Sequence, residues 1–205
     1  APILQQARAK GIPVFSELEV ALAFAPAGRL YAVTGTNGKT TTTRLLGDIL
    51  KASGLRAHIG GNIGAPVSDL VPDVCAGDVL VLEISSYQAE DSRWLHPKAA
   101  CLLNITPDHA EHHGSYEAYV EAKARLFSAQ GPEDVGVFNA ADRTVKALSA
   151  SSKGSRLFFA LHRKPGLNAW KDKGFLLFRL PGRTHRVRPP RLPGDHNLEN
   201  AMAAG

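Results

Sequence analysis

The sequence predicts an α/β fold: a mostly parallel P-loop sheet with helices on both faces and a small antiparallel hairpin region near the C-terminus. From Leu30 onward, apolar runs alternate with helical patterns, which is the order of a parallel sheet with helical crossovers. Residues 79–84, VLVLEI, lack polar alternation and are typical of a central strand buried on both faces. After Gly174, two apolar runs flank a Pro-Gly turn at residues 175–179 and 184–188, which indicates the hairpin.

The remaining elements follow the same reasoning. Strands are predicted at residues 30–33, 56–59, 99–105, 135–138 and 157–160, and helices at residues 39–53, 115–129 and 142–149. Near the N-terminus, one helical pattern covers residues 3–10 and a second begins at Ser16. Ser16 and Glu19 have the spacing of a capping box. A last helix is expected to begin near Asn197.

Composition restricts the class of protein. The chain has 205 residues, of which 44% are hydrophobic, enough for one sizeable packed domain. No apolar run reaches the roughly 18 residues of a membrane span, and the first residues have no signal-peptide core, so we expect a soluble, cytoplasmic protein. Cys75 and Cys101 lack C-x-x-C spacing and are predicted to be core thiols without a disulfide.

Residues 30–43, LYAVTGTNGKTTTT, predict a phosphate-binding loop. Gly35 and Gly38 let the backbone curl, Lys39 offers a positive charge, Thr40 offers a hydroxyl for Mg²⁺, and the following helix presents its N-terminus. The usual P-loop pattern has glycine where Val33 stands, so only G-x-x-G-K-T remains. The alternative is an ordinary glycine-containing turn between a strand and a helix.

Ligands of open α/β sheets bind beyond the carboxyl ends of the strands, so the residues after each apolar run are candidates. Asn62 lies in the glycine-rich turn GGNIG after residues 56–59, and it is either a ligand contact or a left-handed turn residue. Glu83 ends a buried run, where P-loop enzymes hold a second Mg²⁺ contact. The alternative for Glu83 is a buried ion pair with a basic residue.

A histidine-rich segment follows residues 99–105. His109 is nearest the predicted strand end, and we expect it to reach an active-site cation while the other histidines, His112 and His113, are solvated. A zinc site is a weaker alternative, because no further cysteine or closely spaced histidine completes a tetrahedral set. From spacing alone, Lys123 is an ordinary helix lysine.

Six motifs together resemble the central ATP-binding domain of the Mur ligase family, in order and in spacing: GTNGKTTTT, GGNIG, LEISSYQ, LNITPDH, AYVEAKARLF and GDHNLENAMAA. The resemblance implies that residues 28–205 form this domain and that residues 1–27 are the tail of an N-terminal uridine-binding domain and a linker. By the same resemblance, we expect the family's C-terminal amino-acid-binding domain to be absent from this sequence. GGNIG with ISSYQ favours the branch that adds D-glutamate over the branch that adds the third amino acid and over folylpolyglutamate synthetase.

The resemblance also implies the ligands. Two Mg²⁺ ions are expected, one held by Thr40 and Glu83 and the other by Glu83, His109 and Lys123, with Lys123 carbamylated by CO₂. The adenine end of ATP would meet Asn197 and Asn200. The residues that would wrap the ATP phosphates are Gly35, Thr36, Asn37, Gly38, Lys39, Thr40 and Thr41.

The second substrate would be UDP-N-acetylmuramoyl-L-alanine, contacted by Asn62, Ser85 and His109, with D-glutamate as the acceptor. The resemblance therefore implies an ATP-dependent amide-bond ligase in peptidoglycan precursor synthesis, acting as a monomer with Lys39, Glu83, His109 and Lys123 as catalytic residues. Relatives commonly have arginine where His112 stands, and any role of that arginine is in doubt here.

Two other classes of protein are alternatives. A P-loop switch or binding protein predicts a guanine-reading N-K-x-D motif, which the sequence lacks, and it gives no joint role to Glu83, His109 and Lys123. A nucleic-acid-binding surface would use the basic tail, since residues 151–205 hold 11 basic and 3 acidic residues. That tail has no interleaved aromatic pattern, so neither nucleic acid nor a membrane is expected as a partner.

Overall fold

The computed structural model describes residues 2–26, 29–92, 95–106 and 113–205, and its strands form a single sheet. The strand order is β2-β3-β1-β4-β5-β6-β7-β8-β9. Neighbours from β2 to β7 pair in parallel, whereas β7, β8 and β9 pair antiparallel, which confirms the predicted fold class. The strands are β1 Arg29–Thr34, β2 Ala57–Gly61, β3 Val79–Glu83, β4 Ala99–Leu102, β5 Val135–Asn139, β6 Ser155–His162, β7 Ala169–Asp172, β8 Phe175–Leu180 and β9 Arg183–Val187.

Helices cover both faces of this sheet. They are α1 Pro2–Ala9, α2 Glu17–Phe24, α3 Lys39–Ala52, α4 Val67–Leu70, α5 Ser86–Glu90, α6 Tyr116–Ser128, α7 Arg143–Leu148 and α8 Asp195–Ala204. Side chains alternate along β1, so Ala32 joins the core beneath α2 and α6, whereas Val33 joins the core beneath α3 and α8. Both faces of β3 are apolar: Leu80 and Leu82 join the core beneath α2 and α6, and Val79 and Val81 join a third cluster packed against α3. This explains the absence of polar alternation in β3.

Most predicted boundaries agree within two residues, and helix caps explain several of them. Ser16 accepts a hydrogen bond from the Glu19 backbone N–H at 3.2 Å and caps α2. Ser115 and Asp142 cap α6 and α7 in the same way. The short helices α4 and α5 and the strand β7 were not predicted, since each is too short to show a clear period.

Strand β4 ends earlier than predicted, at Leu102 rather than at residue 105. The Leu103 N–H makes the last bond to β1, donating to the Thr34 carbonyl at 3.0 Å. The chain then leaves the sheet, because the Ile105 N–H donates to the Asp142 carboxylate at 2.8 Å and not to a strand. This departure carries residue 104 over to the loop that follows β1.

The amino ends of the strands form a structural edge, opposite the edge where β1 leads into α3. The Asp134 carboxylate accepts hydrogen bonds from the Gly131 N–H, from His96 and from Lys98. Burial raises the pKa of Asp134, but these three donors outweigh burial and lower the pKa to about 2. Asp78, bonded to the Cys75 N–H and to His58, also has a lowered pKa.

The two cysteines differ in environment. Cys101 is buried in β4, and burial raises the pKa of its thiol. Cys75 is exposed in the turn before β3, so the prediction of two core thiols is wrong for Cys75. Its Sγ lies 3.5 Å from an Arg56 nitrogen. Among the described residues, no helix has both the length and the apolar character needed to cross a membrane.

Candidate active site

The loop between β1 and α3 has the backbone shape of a phosphate cradle. Gly38 caps α3 with a left-handed backbone, φ +86°, and a Cβ atom built on it would lie 2.3 Å from Asn200 Oδ1. Both the backbone angle and the close approach require glycine here. The Lys39 ammonium donates to the Thr36 carbonyl at 2.8 Å, so its charge lies within the loop. Thr41 follows in the first turn of α3.

Asn104 holds this loop from the end of β4. Its Oδ1 accepts from the Asn37 N–H at 2.8 Å, and its Nδ2 donates to the Asn37 carbonyl at 3.0 Å. Its backbone carbonyl accepts from the Thr36 N–H at 3.0 Å. One residue thus fixes three consecutive peptide groups of the loop, two through its side chain and one through its backbone carbonyl, which pre-organises the cradle.

Thr36 connects the loop to two further segments. Its hydroxyl lies 3.0 Å from the Tyr119 hydroxyl of α6 and accepts from the Thr106 N–H at 3.0 Å. Tyr119 is 1% exposed, so α6 is anchored directly beneath the loop. The loop is therefore held from β4 and from α6 at once.

Glu83, at the end of β3, is the carboxylate nearest the loop among the residues predicted for the site. It is 2% exposed, and its two oxygens accept hydrogen bonds from Thr40 Oγ1 at 2.8 Å and from Asn62 Nδ2 at 3.0 Å. Neither of these partners is basic, so the ion-pair alternative does not describe these contacts. A hydroxyl and a carboxylate side by side are oxygen ligands of the kind that Mg²⁺ takes.

The glycine-rich turn after β2 aims Asn62 at this carboxylate. Gly61 and Gly64 adopt positive φ, whereas Asn62 does not. The Asn62 N–H donates to the Glu83 carbonyl at 2.9 Å, so main chain and side chain of Asn62 both contact the end of β3. The left-handed-turn alternative for Asn62 is wrong, because the glycines make the turn.

Lys123 points from α6 into the same region. It is 2% exposed, and its Nζ donates to the Gly35 carbonyl at 3.0 Å and contacts Thr34 Oγ1 at 3.4 Å. Its Nζ also lies 4.7 Å from the centre of the Tyr119 ring. A buried lysine at the base of a phosphate loop is not the ordinary surface lysine that spacing alone indicates.

Ser85 has a local partner in the structure. It caps α5 in a full capping box: its hydroxyl accepts from the Gln88 N–H at 3.2 Å, and the Gln88 side chain accepts from the Ser85 N–H at 3.0 Å. Ser85 follows Glu83 by two residues, so the capped end of α5 lies at the edge of the site.

The histidines separate into two groups. His109 and His112 lie outside the described residues, so the predicted cation contact of His109 stays a prediction. His113 is described, and its side chain is 1% exposed, which contradicts the prediction that it is solvated. Its Nε2 lies 3.0 Å from Ser86 Oγ and its Nδ1 lies 3.3 Å from the Glu90 carboxylate. Its ring stacks on Tyr87 and lies 5.5 Å from the centre of the Tyr119 ring.

The two asparagines predicted for adenine lie on α8. Asn200 is 5% exposed and borders the loop at Gly38. Asn197 bonds to the Pro193 carbonyl at 2.7 Å and accepts from Asn200 Nδ2 at 3.3 Å, so it supports Asn200 from behind. Among the residues that the structure describes, no group of three or more His, Cys, Asp or Glu side chains is arranged to hold a metal ion.

Several residues of the site were missed by sequence reasoning. Asn104 lies inside the quoted motif LNITPDH and Glu199 inside GDHNLENAMAA, yet neither had a predicted role. A polar side chain directly after a buried strand, such as Asn104 or Asn139, is a signal that could have found them. Glu199 shows no such signal, because its position depends on how α8 packs.

Comparison with known proteins identifies relatives of this chain. The Mur ligase middle domain matches residues 33–205. Proteins named UDP-N-acetylmuramoylalanine–D-glutamate ligase from Elusimicrobium minutum and Syntrophus aciditrophicus are 42% and 43% identical over 212 and 210 residues. These alignments cover 99% of this chain but 46% and 45% of the relatives, so the chain spans a little less than half their length.

Solved structures show the same architecture. A UDP-N-acetylmuramoyl-L-alanyl-D-glutamate–2,6-diaminopimelate ligase superposes with a TM-score of 0.71 at 26% identity, over 91% of this chain and 44% of that one. The MurF ligase of Thermotoga maritima, solved in complex with ADP, has a TM-score of 0.67 at 23% identity, over 91% and 46% of the two chains. At 23% identity, the similarity to the MurF ligase shows a shared fold and no more.

Proposed function

We propose, since the chain belongs to the Mur ligase family, that it supplies the ATP-binding part of an enzyme that joins D-glutamate to UDP-N-acetylmuramoyl-L-alanine. The identity of about 40% to relatives named for this reaction supports the choice of substrates. Consumption of ATP also fits the cytoplasmic location expected from the sequence.

The observation that carries this proposal is the contact of Glu83 with both Thr40 and Asn62. Thr40 belongs to the phosphate loop, whereas Asn62 belongs to the glycine-rich turn assigned to the second substrate. One buried carboxylate therefore joins the two halves that a phosphoryl transfer between ATP and a carboxylate substrate needs. A protein that only bound ATP would not need the second half.

The residues present fit Mg²⁺. Thr40 and Glu83 would hold one ion, and Glu83, Lys123 as its carbamate and His109 would hold the second. When bound, Mg²⁺ supplies positive charge that reduces the repulsion between two anionic reactants. The hydrogen bond between Thr40 and Glu83 at 2.8 Å already places these two oxygens side by side.

In the first step, an oxygen of the alanyl carboxylate attacks the γ-phosphorus of ATP. The new oxygen–phosphorus bond forms as the bond to ADP breaks, which leaves an acyl phosphate. Lys39 would stabilise the charge on the transferred phosphoryl group, and the backbone of residues 35–38 would orient the ATP phosphates. Asn62 and Ser85 would hold the muramoyl substrate with its carboxylate toward the loop.

In the second step, the amine of D-glutamate attacks the carbonyl carbon of the acyl phosphate. A tetrahedral intermediate forms, the amine loses a proton, and inorganic phosphate leaves with the oxygen that came from the carboxylate. The site must exclude water while the neutral amine attacks the activated carbonyl, since water would hydrolyse the acyl phosphate.

We propose that Lys123 is carbamylated in the working enzyme. Lys123 is 2% exposed, and its Nζ lies 3.0 Å from the Gly35 carbonyl at the base of the phosphate loop. The carbamate would turn a cation into an anion beside Gly35, where positive ions are expected. Protein equilibrated with ¹³C-bicarbonate would then show a carbamate carbon signal, and a spectrum unchanged by Lys123→Arg would contradict this state.

The experiment that tests the function measures phosphate released by the complete protein from ATP and UDP-N-acetylmuramoyl-L-alanine. Release is expected with D-glutamate and not with L-lysine or diaminopimelate. Lys39→Ala removes the charge that stabilises the transferred phosphoryl, so it is expected to lower the rate by about a hundredfold or more. Lys51→Ala, which removes an exposed lysine from the same helix, is the matched control and should leave the rate unchanged.

Two outcomes would contradict the proposal. A normal rate in Lys39→Ala would exclude the assigned role of the loop. Release that depended on diaminopimelate or L-lysine instead of D-glutamate would assign the protein to the branch of the family that adds the third amino acid.

A further inference from the structure

His113 contacts both ends of the short helix α5. This helix runs from Ser86 to Glu90, and the two ring nitrogens of His113 reach its first and its last residue. Nε2 lies 3.0 Å from Ser86 Oγ, and Nδ1 lies 3.3 Å from a carboxylate oxygen of Glu90. The carboxylate favours the proton on Nδ1, which leaves Nε2 of the neutral ring to accept from the Ser86 hydroxyl.

The helix α5 depends on contacts of this kind. A helix of five residues is too short to be stable alone, so its conformation depends on the residues that pack against it. The His113 side chain is 1% exposed and Ser86 is 3% exposed, so their contact is shielded from water. Arg125 of α6 donates to the Glu90 carbonyl at the carboxyl end of α5, whereas the contact of His113 with Ser86 lies at the amino end.

The amino end of α5 adjoins the residue proposed to contact the muramoyl substrate. Ser85 caps α5 and directly precedes Ser86, so the position of Ser86 determines where Ser85 stands. On its other side, the His113 ring lies 5.5 Å from the centre of the Tyr119 ring, and the Tyr119 hydroxyl lies 3.0 Å from Thr36 Oγ1 in the phosphate loop. His113 thus lies between the segment assigned to the muramoyl substrate and the loop assigned to ATP.

We propose that His113 is a positioning residue for the muramoyl substrate: by fixing α5, it holds Ser85 in place. A fixed Ser85 can meet the substrate without first ordering the turn between β3 and α5, so less entropy is lost on binding. The phosphate loop has its own support from Asn104, so loss of the His113 contacts should weaken binding of the muramoyl substrate and not binding of ATP. This inference rests on the proposed function, because it assumes that Ser85 contacts that substrate.

The test compares two substitutions of His113 in the complete protein. In His113→Phe, an aromatic ring remains beside Tyr119 but bonds to neither end of α5, so the KM for UDP-N-acetylmuramoyl-L-alanine is expected to rise by about tenfold while the KM for ATP stays the same. His113→Gln places an amide oxygen where Nε2 stands, which can accept from the Ser86 hydroxyl, so this variant is expected to recover most of the lost affinity. Steady-state phosphate release at varied concentrations of each substrate measures both constants.

His58→Phe is the matched control. It is the same change at a histidine on the structural edge, where His58 Nε2 lies 2.8 Å from an Asp78 carboxylate oxygen. This control is expected to lower the melting temperature without changing either KM. Ser86→Ala removes the hydrogen bond to His113 from its other side with little change in packing, so it should raise the same KM and decides the question if His113→Phe does not fold.

The outcomes separate this inference from the proposed function. An unchanged KM for the muramoyl substrate in His113→Phe and Ser86→Ala, or an equal rise in the KM values of both substrates, would overturn this inference alone. A His113→Gln protein as impaired as His113→Phe would also overturn it. Failure of the unsubstituted protein to release phosphate with UDP-N-acetylmuramoyl-L-alanine and D-glutamate would overturn the proposed function and the inference with it.

Discussion

At the scale of single residues, the geometry of the site depends on side chains that hydrogen-bond to the main chain. These are not the side chains that would contact the ligand. Asn104 is the clearest case, because its amide pairs with both the N–H and the carbonyl of Asn37. Without these bonds, the phosphate loop of the ligand-free protein would sample many conformations. Fixing one of them when ATP binds would cost conformational entropy and weaken the affinity for ATP. Asn104 is thus a positioning residue for the nucleotide.

Replacement of this amide tests that role. Asn104→Ala leaves two peptide groups of the loop without their partners, so the KM for ATP is expected to rise by roughly tenfold with a smaller change in kcat. Steady-state kinetics of the complete protein measure both constants.

Asn168→Ala is the matched control, because Asn168 also binds main chain, accepting from the Phe158 N–H at 3.0 Å, but far along the sheet. It is expected to lower stability without raising the KM. Equal effects of the two substitutions on the KM would show that Asn104 acts only on stability.

The residues predicted from sequence and those missed differ in a physical way. Lys39, Thr40 and Glu83 sit directly in a motif or at a strand end, where local pattern fixes their surroundings. The importance of Asn104 arises from contacts between segments distant in sequence, its side chain with the Asn37 peptide groups, and a local pattern carries no such information. A role for Lys123 was implied by the family resemblance and not by its spacing, and its burial was not predicted.

At the scale of elements, parallel pairing is what assembles the site. Because β1, β3 and β4 are neighbours that run in one direction, the segments after them emerge at one edge. The alternation of apolar runs and helices predicted this arrangement. The end of β4 could not be predicted, because the apolar residues Leu103 and Ile105 continue the strand pattern, whereas the Ile105 N–H bonds to the Asp142 carboxylate instead of a strand.

The opposite edge contributes stability, and its contribution should depend on pH. The pKa of Asp134 lies at about 2, below its ordinary value of 3.8, so its ionised form stabilises the folded state above pH 4 and this stabilisation is lost as the pH falls toward 2. Asp134→Asn is therefore expected to lower the free energy of unfolding at pH 7 by roughly 1 to 3 kcal/mol.

Denaturant unfolding at several pH values measures this effect. The difference between the unsubstituted protein and Asp134→Asn should shrink as the pH approaches the pKa in the folded state. Glu133→Gln, a change at the neighbouring exposed carboxylate, should have little effect at any pH. A difference that stayed constant from pH 7 to pH 3 would contradict the role of the ionised Asp134.

At the scale of the whole molecule, the described residues form one sheet with a ligand edge and a structural edge. The ligand edge brings the phosphate loop, Glu83, Asn62 and Lys123 together, and the hairpin of β8 and β9 extends the sheet at its margin. The chain spans less than half the length of the relatives that it matches, so ligation is a property proposed for the complete protein. Within that protein, this chain would activate the carboxylate.

The formation of an acyl phosphate is the central claim, and oxygen transfer tests it most directly. The alanyl carboxylate of UDP-N-acetylmuramoyl-L-alanine is labelled with ¹⁸O, and the phosphate released by the complete protein during ligation with D-glutamate is analysed by mass spectrometry. We predict one labelled oxygen in each phosphate, because the carboxylate oxygen that attacks the γ-phosphorus leaves with it. Amide product accompanied by phosphate without ¹⁸O would contradict the account.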